Sequence, residues 1–298
     1  MRLSELKLDS LTIVRDGTFD VMAKCEDAPD MPTLTFLSDK KYLSVLRKSK
    51  NISCVITTPE LIEFVPDNMG LCVSASPRRD FFLIHNELAA VITYARPRFK
   101  TKIGSNCTIS KLACISEENV IIGDNVTIEE FVSIKPNVEI GNNTIIRAGS
   151  VIGGSGYEYK RDGDSIIDVK HLGGVILGDN VEVLHNVYIS PSVFPWDNTV
   201  INDHTKIDNL VSIAHSCKIG RRNFITAGAV LSGNVVTEDD VDIGLNATIS
   251  RRIKMKNRST ASLGSVVIRN VRKNKTVSGN FAVDHEKLLR FIVTEIDK

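Results

Sequence analysis

Aliphatic residues recur at every sixth position along most of this chain. Ile122, Ile128, Ile134, Ile140, Ile146 and Ile152 form one run; Leu177, Val183, Ile189, Ile201, Ile207, Ile213, Ile219, Ile225, Leu231, Ile243 and Ile249 continue the spacing. A period of six fits neither the 3.6 of an amphipathic helix nor the simple alternation of a single strand. Most of these aliphatics precede Gly, Asp or another turn-tolerant residue, as in Ile122-Gly123-Asp124-Asn125, so each unit reads as a short strand and then a turn. Such units cannot bury an apolar face alone and are stable only when stacked as a parallel β-helix. In the left-handed form three hexapeptides make one triangular coil. Residues three repeats apart then lie above one another, one strand spacing of about 4.8 Å along the axis.

The spacing breaks in two places. Gly153 to Lys170 is out of register, which predicts an excursion from the coil, and Pro195 stands where an inward aliphatic is due after Ile189, which predicts a bulge over 191–196. Before the repeats, strand candidates (Thr33–Leu37, Ile52–Thr57, Leu71–Ser74) alternate with helix candidates (Lys40–Arg47, Pro59–Phe64, Arg78–Tyr94), the pattern of a small α/β unit. Pro97 closes it. After Arg269 the period fades, and after Gly279 a helix is expected over Asp284 to Lys298, with Asp284 as its cap and Leu288, Leu289, Ile292 and Ile296 on one face. The expected architecture is therefore mainly β: a left-handed parallel β-helix of hexapeptide repeats (99–270), an N-terminal α/β domain (1–98), and a C-terminal segment with a short helix (271–298).

Composition narrows the function classes. The chain has 298 residues, 42% of them hydrophobic, and a formal charge of +1, which gives no electrostatic case for nucleic acid. No apolar run approaches membrane-spanning length and the amino terminus lacks a signal-peptide pattern, so a cytoplasmic protein is expected. The six cysteines contain no Cys-x-x-Cys pair, which reads as reduced thiols rather than a disulfide framework or zinc ribbon.

Among the histidines, His215 has the most suggestive setting. It lies two residues past the inward Ile213, near a corner of the prism, with Asp197 one coil before it, Gly233 one coil after and Arg251 on the next. A carboxylate beside an imidazole fixes its tautomer and raises its basicity, and a glycine amide at the same corner can approach a developing oxyanion. The competing reading is a solvated corner residue. His185, His204 and His215 are not spaced to share a metal, which disfavours a zinc enzyme of carbonic anhydrase type and leaves no metal expected. Gly153-Gly154-Ser155-Gly156 ends a coil instead of joining strand to helix, so it is no dinucleotide loop.

Three stretches, Lys206-Ile207-Asp208-Asn209-Leu210-Val211-Ser212-Ile213-Ala214-His215, Gly154-Ser155-Gly156-Tyr157 and Thr35-Phe36-Leu37-Ser38-Asp39-Lys40-Lys41-Tyr42, make the chain resemble the UDP-3-O-acylglucosamine N-acyltransferases of lipid A biosynthesis and related nucleotide-sugar N-acyltransferases over nearly its whole length. The resemblance implies a homotrimer with sites between neighbouring coils. It implies His215 as general base, Asp208 and Asp197 as its orienting carboxylates, and the Gly233 N–H as oxyanion donor. Phe36 and Tyr42 would grip the nucleotide base, so that the N-terminal unit binds nucleotide, and Asp39, Gly156, Tyr157, Arg251 and Arg252 join them as substrate-binding candidates. No tightly bound cofactor is implied; the acyl donor is acyl-CoA or acyl carrier protein. The chain departs from the family at Tyr188-Ile189-Ser190-Pro191-Ser192, at Arg251-Arg252, where a second family histidine is missing, and in a short C-terminal helical region. These departures tilt the expectation toward an N-acyltransferase for surface polysaccharide or glycan synthesis using short acyl-CoA. The alternatives are the lipid A enzyme itself, with a hydroxyacyl donor, and a non-catalytic trimeric scaffold.

Overall fold

The computed structural model describes residues 1–279 and 282–296. From Lys102 to Val277 short strands stack into a left-handed β-helix with three faces, parallel sheets of nine, eight and eight strands. Within a regular coil the stacked partners are 18 residues apart, as in Asp124 N–H to Asn142 Oδ1. Across the expected excursion the separation becomes 37, and across the expected bulge it becomes 24. Both irregularities therefore leave the ladder in phase, as Ile140 beside Leu177 and Leu177 beside Ile201 demonstrate.

Each repeat buries two side chains, the periodic aliphatic and the residue two before it, so that Val126 with Ile128 and Val211 with Ile213 fill the prism. The corners need a left-handed backbone residue, which costs an ordinary L-residue energy but suits Asn. Asn106, Asn125, Asn143, Asn180, Asn234 and Asn246 occupy such positions, with φ between 53° and 62°. This is the physical reason that asparagine punctuates the repeats.

The N-terminal unit is a five-stranded sheet: β1 (Thr12–Arg15), β2 (Val21–Met22), β3 (Thr33–Leu37), β4 (Ile52–Thr57) and β5 (Gly70–Val73), in the order β1-β5-β4-β3-β2. All pairings are parallel except β1 with β5. Two helices accompany it, α1 (Leu43–Lys48) and α2 (Pro77–Leu88). Sequence patterning misses β1 and β2 because the first is largely exposed and bulged against its partner and the second has two residues. It also extends α2 too far, and Pro59–Phe64 is a 3₁₀ helix.

The excursion and the bulge fasten this unit to the coil. Ile167 and Val169 of the excursion and Val193 and Phe194 of the bulge share one hydrophobic cluster with Phe81, Phe82 and Leu88 of α2. Burying an aliphatic or aromatic side chain in this way contributes on the order of 1.5–3 kcal/mol. Inside the seam, the fully buried His85 places Nδ1 2.8 Å from Tyr94 Oη and Nε2 2.9 Å from the Lys170 carbonyl. A carbonyl only accepts, so Nε2 carries the proton and Nδ1 accepts from the tyrosine. The expected C-terminal helix is α3 (His285–Ile296), capped by Asp284 Oδ1 accepting from Lys287 N at 3.2 Å. Leu289 is about half exposed; the side chains of Leu288, Ile292 and Ile296 lie outside the described residues. No helix among the described residues is long and apolar enough to cross a membrane.

Candidate active site

His215 stands at a corner of the coil where the N-terminal unit and the excursion close over it, and only 14% of its side chain is exposed. Two adjoining clefts of about 420 and 370 Å³ meet at this residue, both also lined by Lys24, Asn234 and Arg252. The first runs past Trp196, Asp197 and Lys218, the second past Glu158, Lys160, Ser232, Gly233 and Arg251.

The stack through this corner is tight. A Cβ placed on Gly233 would lie 2.5 Å from His215 Nε2 and 2.6 Å from Cε1, so the ring lies directly over a bare α-carbon. The Gly233 carbonyl accepts from Arg252 N–H at 3.1 Å, and among the described residues its own N–H has no partner. An unengaged amide beside an imidazole can donate to an oxyanion. His171, carried by the excursion, sets its ring edge-on to His215 with centroids 6.1 Å apart. His171 in turn rests on Gly156, where a Cβ would come within 2.9 Å of its Nε2. A glycine thus lies against each of two edge-on imidazoles.

The carboxylates expected beside His215 are engaged elsewhere. Asp197 Oδ1 binds Lys218 Nζ at 2.7 Å. Asp208 accepts from Asn209 N–H at 2.7 Å and from Ala227 N–H at 3.1 Å, which closes a coil corner. The partner that His215 has is Glu158, whose Oε2 lies 3.5 Å from Nε2. Sequence periodicity could not find it, because Glu158 sits in the non-repeating excursion and reaches the histidine only through tertiary folding. Its other oxygen, Oε1, accepts from Lys160 Nζ at 2.5 Å and lies 3.7 Å from Lys24 Nζ. Lys160 is itself held over the Phe82 ring.

These contacts set the protonation states. Burial pushes the His215 imidazole below its ordinary range, and Glu158 opposes the shift without reversing it. The same desolvation, with His215 adding repulsion, drives His171 down to about 4. His171 Nε2 has no hydrogen-bond partner among the described residues. Burial alone would raise Glu158, but Lys24, Lys160 and His215 outweigh it and hold the carboxyl below its usual range. At neutral pH the site therefore presents a neutral imidazole facing a carboxylate, the state in which a histidine can accept a proton.

The remaining candidates fall into two groups. Arg251 lines the second cleft, while Arg252 docks the coil to the N-terminal unit through Asp27 at 2.9 and 2.7 Å. Phe36 packs on Phe81 with ring centroids 5.0 Å apart, Tyr42 adjoins a separate cluster around Leu46 and Leu61, and Asp39 caps a 3₁₀ turn by accepting from Lys41 N–H. No ring contact joins Phe36 to Tyr42 among the described residues. Tyr157 is 87% exposed, its ring against Tyr159. A third cleft of about 370 Å³ opens where β3, β4 and β5 end and α2 begins, lined by Ser38, Thr58, Ser76, Arg78, Arg79, Lys160 and Arg161. Arg78 and Lys160 also line the His215 cleft, so the two clefts adjoin. Among the described residues no group of three or more His, Cys, Asp or Glu side chains converges as a metal site.

The sequence profile of the bacterial transferase hexapeptide family (six repeats) matches residues 119–154 and 198–233, the coils on either side of the excursion. The chain is 32% identical over 326 residues to UDP-3-O-acylglucosamine N-acyltransferase 2 of Legionella pneumophila strain Paris, in an alignment covering 99% of this chain and 94% of that one. This chain belongs to the UDP-3-O-acylglucosamine N-acyltransferase family. A second member, from Helicobacter hepaticus, is 32% identical over 251 residues, 78% of this chain and 75% of its own. The crystal structure of Arabidopsis UDP-N-acetylglucosamine acyltransferase superposes with a TM-score of 0.51 at 24% identity, over 64% of this chain and 73% of that one. That likeness bears on the β-helix alone.

Proposed function

We propose that this chain, an acyltransferase of nucleotide amino sugars by family, transfers an acyl group from a pantetheine thioester to the amine of a UDP-linked 3-O-acylglucosamine. The observation that carries the chemistry is the neutral, desolvated His215 over the bare Gly233 α-carbon at the mouth of a cleft. The relatives aligned over nearly the whole chain bear the 3-O-acylglucosamine name, which favours this acceptor over the surface-polysaccharide sugar expected from the sequence departures.

The reaction proceeds as nucleophilic addition and elimination. The amine nitrogen attacks the thioester carbonyl carbon, the carbonyl π electrons move to oxygen, and the Gly233 N–H donates to that oxyanion. His215 takes the proton released by the nitrogen on Nδ1, the ring nitrogen opposite the Nε2 that faces Glu158. Collapse of the tetrahedral intermediate expels the thiolate, which receives that proton from the imidazolium. The Arg78, Arg79, Lys160 and Arg161 cleft lies at the carboxyl ends of parallel strands, where α/β sheets take their ligands, and would hold the diphosphate by charge-assisted hydrogen bonds. Leu112, Phe131, Leu210, Leu245 and Leu263, each at least half exposed, leave apolar side chains along the coil that fit packing between subunits in a homotrimer.

The test offers purified protein two donors, hydroxyacyl carrier protein and acetyl-CoA, with UDP-3-O-acylglucosamine or a UDP- or dTDP-amino-deoxysugar as acceptor, and identifies the N-acylated product by mass. The proposal expects turnover with the carrier-protein donor and the acylated glucosamine. Faster turnover of acetyl-CoA with an amino-deoxysugar overturns this acceptor assignment. No turnover of any pair, with His215→Ala binding nucleotide as wild type does, favours the scaffold.

A further inference from the structure

We infer that Glu158 is the positioning residue for His215: the excursion carries this carboxylate out of the repeat to face the imidazole, fixing its orientation and stabilising the imidazolium formed during acyl transfer. The inference rests on His215 acting as the base, and it assigns a role to a loop that the hexapeptide pattern leaves unexplained.

Three observations converge on it. Glu158 is 8% exposed, its Oε2 lies 3.5 Å from His215 Nε2, and among the described residues it is the acidic group in ion-pair range of that ring. A carboxylate this buried is costly unless compensated, and the compensation is built: Lys160 Nζ at 2.5 Å and Lys24 Nζ at 3.7 Å both converge on Oε1, leaving Oε2 for the histidine. The excursion is also clamped. Tyr188 Oη donates to the Ser155 carbonyl at 2.8 Å on one side of Glu158, and Val169 N–H donates to the Glu158 carbonyl at 2.9 Å on the other. A carboxylate held by two cations on one oxygen and presented to His215 Nε2 on the other fixes the proton on that nitrogen and stabilises the charge gained when the opposite nitrogen, Nδ1, takes a proton, as the buried aspartate of a hydrolase triad does from the side of the ring away from its base.

The charge environment of His215 gives the inference a sign. Facing the ring are Glu158 from the excursion, Lys24 from the N-terminal unit, Lys160 beside Glu158, Asp197 one coil below and the neutral His171; Lys218, Arg251 and Arg252 line the surrounding clefts. Glu158 favours imidazolium, and Lys24 disfavours it. Removing either charge while keeping the side chain's bulk therefore moves the histidine titration in opposite directions.

The test combines titration of ring-labelled histidine by NMR in the full-length protein with steady-state kinetics. Glu158→Gln should lower the His215 pKa by about half a unit or more, shift the acid limb of kcat downward with it, and reduce kcat about tenfold with KM changed less than about threefold. Lys24→Met should raise the same pKa. A merely structural carboxylate would lower stability or raise KM while leaving the His215 titration where it is. That result, in either variant, overturns the inference. His215→Ala separates the two levels: if it retains turnover, the general-base reading fails. If it loses turnover while Glu158→Gln leaves both titration and kcat unchanged, only the role of Glu158 fails. Should Glu158→Gln fold poorly, the upward shift in Lys24→Met decides, and its absence counts against the inference.

Discussion

A single methyl group at position 233 tests the site geometry most directly. In Gly233→Ala the new Cβ would stand 2.5 Å from His215 Nε2 and 3.1 Å from Cδ2, where ordinary contact is 3.4–4 Å. The ring must retreat by about 1 Å. It cannot retreat freely, because the His171 ring packs edge-on against it and Gly156 in turn lies against His171. Sideways rotation takes Nε2 away from Glu158. A misplacement of about 1 Å at a reacting group costs on the order of 100-fold, and we expect kcat to fall by that much. The backbone is not the obstacle, since Gly233 is absent from the positive-φ residues, so the cost falls on the displaced ring and the variant should lose about 1–3 kcal/mol of stability while still folding. The assay is steady-state acyl transfer in wild type, Gly233→Ala, His215→Ala and the double variant. With the ring removed the methyl has room, so the second substitution should add little in the His215→Ala background. Gly233→Ala turning over within about threefold of wild type refutes the steric coupling. A further 100-fold loss in the His215→Ala background would show that the methyl does not act through the ring.

Burial holds His215 below its ordinary range, so the acid limb of kcat should lie below the unperturbed value of about 6.5, where the neutral imidazole persists; a midpoint above 7 contradicts this. His85, neutral in the seam and pushed by burial down to about 4, binds fewer protons folded than unfolded between those pH values, so its contribution is intact above pH 6.5 and is lost as pH falls toward 4. That loss reaches about 3 kcal/mol. His171 acts in the same window and direction, so urea unfolding across that range should show His85→Gln losing only part of the pH dependence; an unchanged slope counts against the assignment. Ile213→Ala, at a fully buried prism position beside the His215 corner, should cost about 2–5 kcal/mol, read as a lower thermal midpoint. Replacing Arg78 and Arg161 together with alanine should raise KM for the nucleotide sugar about tenfold and leave kcat largely unchanged, because those side chains line the cleft assigned to the diphosphate.

What the chain settles by itself is the part that repeats. The six-residue spacing of Ile122 through Ile249 selects a stacked coil because no other arrangement buries an aliphatic at that period, and asparagine at the corners reports the left-handed backbone the turns require. The same periodicity places Gly233 one coil above His215, and it marks where the ladder is interrupted, since 152 and 177 are out of phase. A repeat can be read this way because each residue's neighbours follow from counting. The partner of the histidine does not follow from counting. Asp197 lies in the right column but its carboxylate goes to Lys218, and Asp208 ties a corner. Glu158 and His171 arrive from an excursion whose path depends on Phe194, Val169 and the α2 aromatics packing together. Burial of that seam is also what depresses the imidazoles. Desolvation and non-local ion pairs belong to the assembled surfaces of coil, excursion and sheet, so the protonation state of the site, unlike the fold that carries it, was decided only when those three surfaces met.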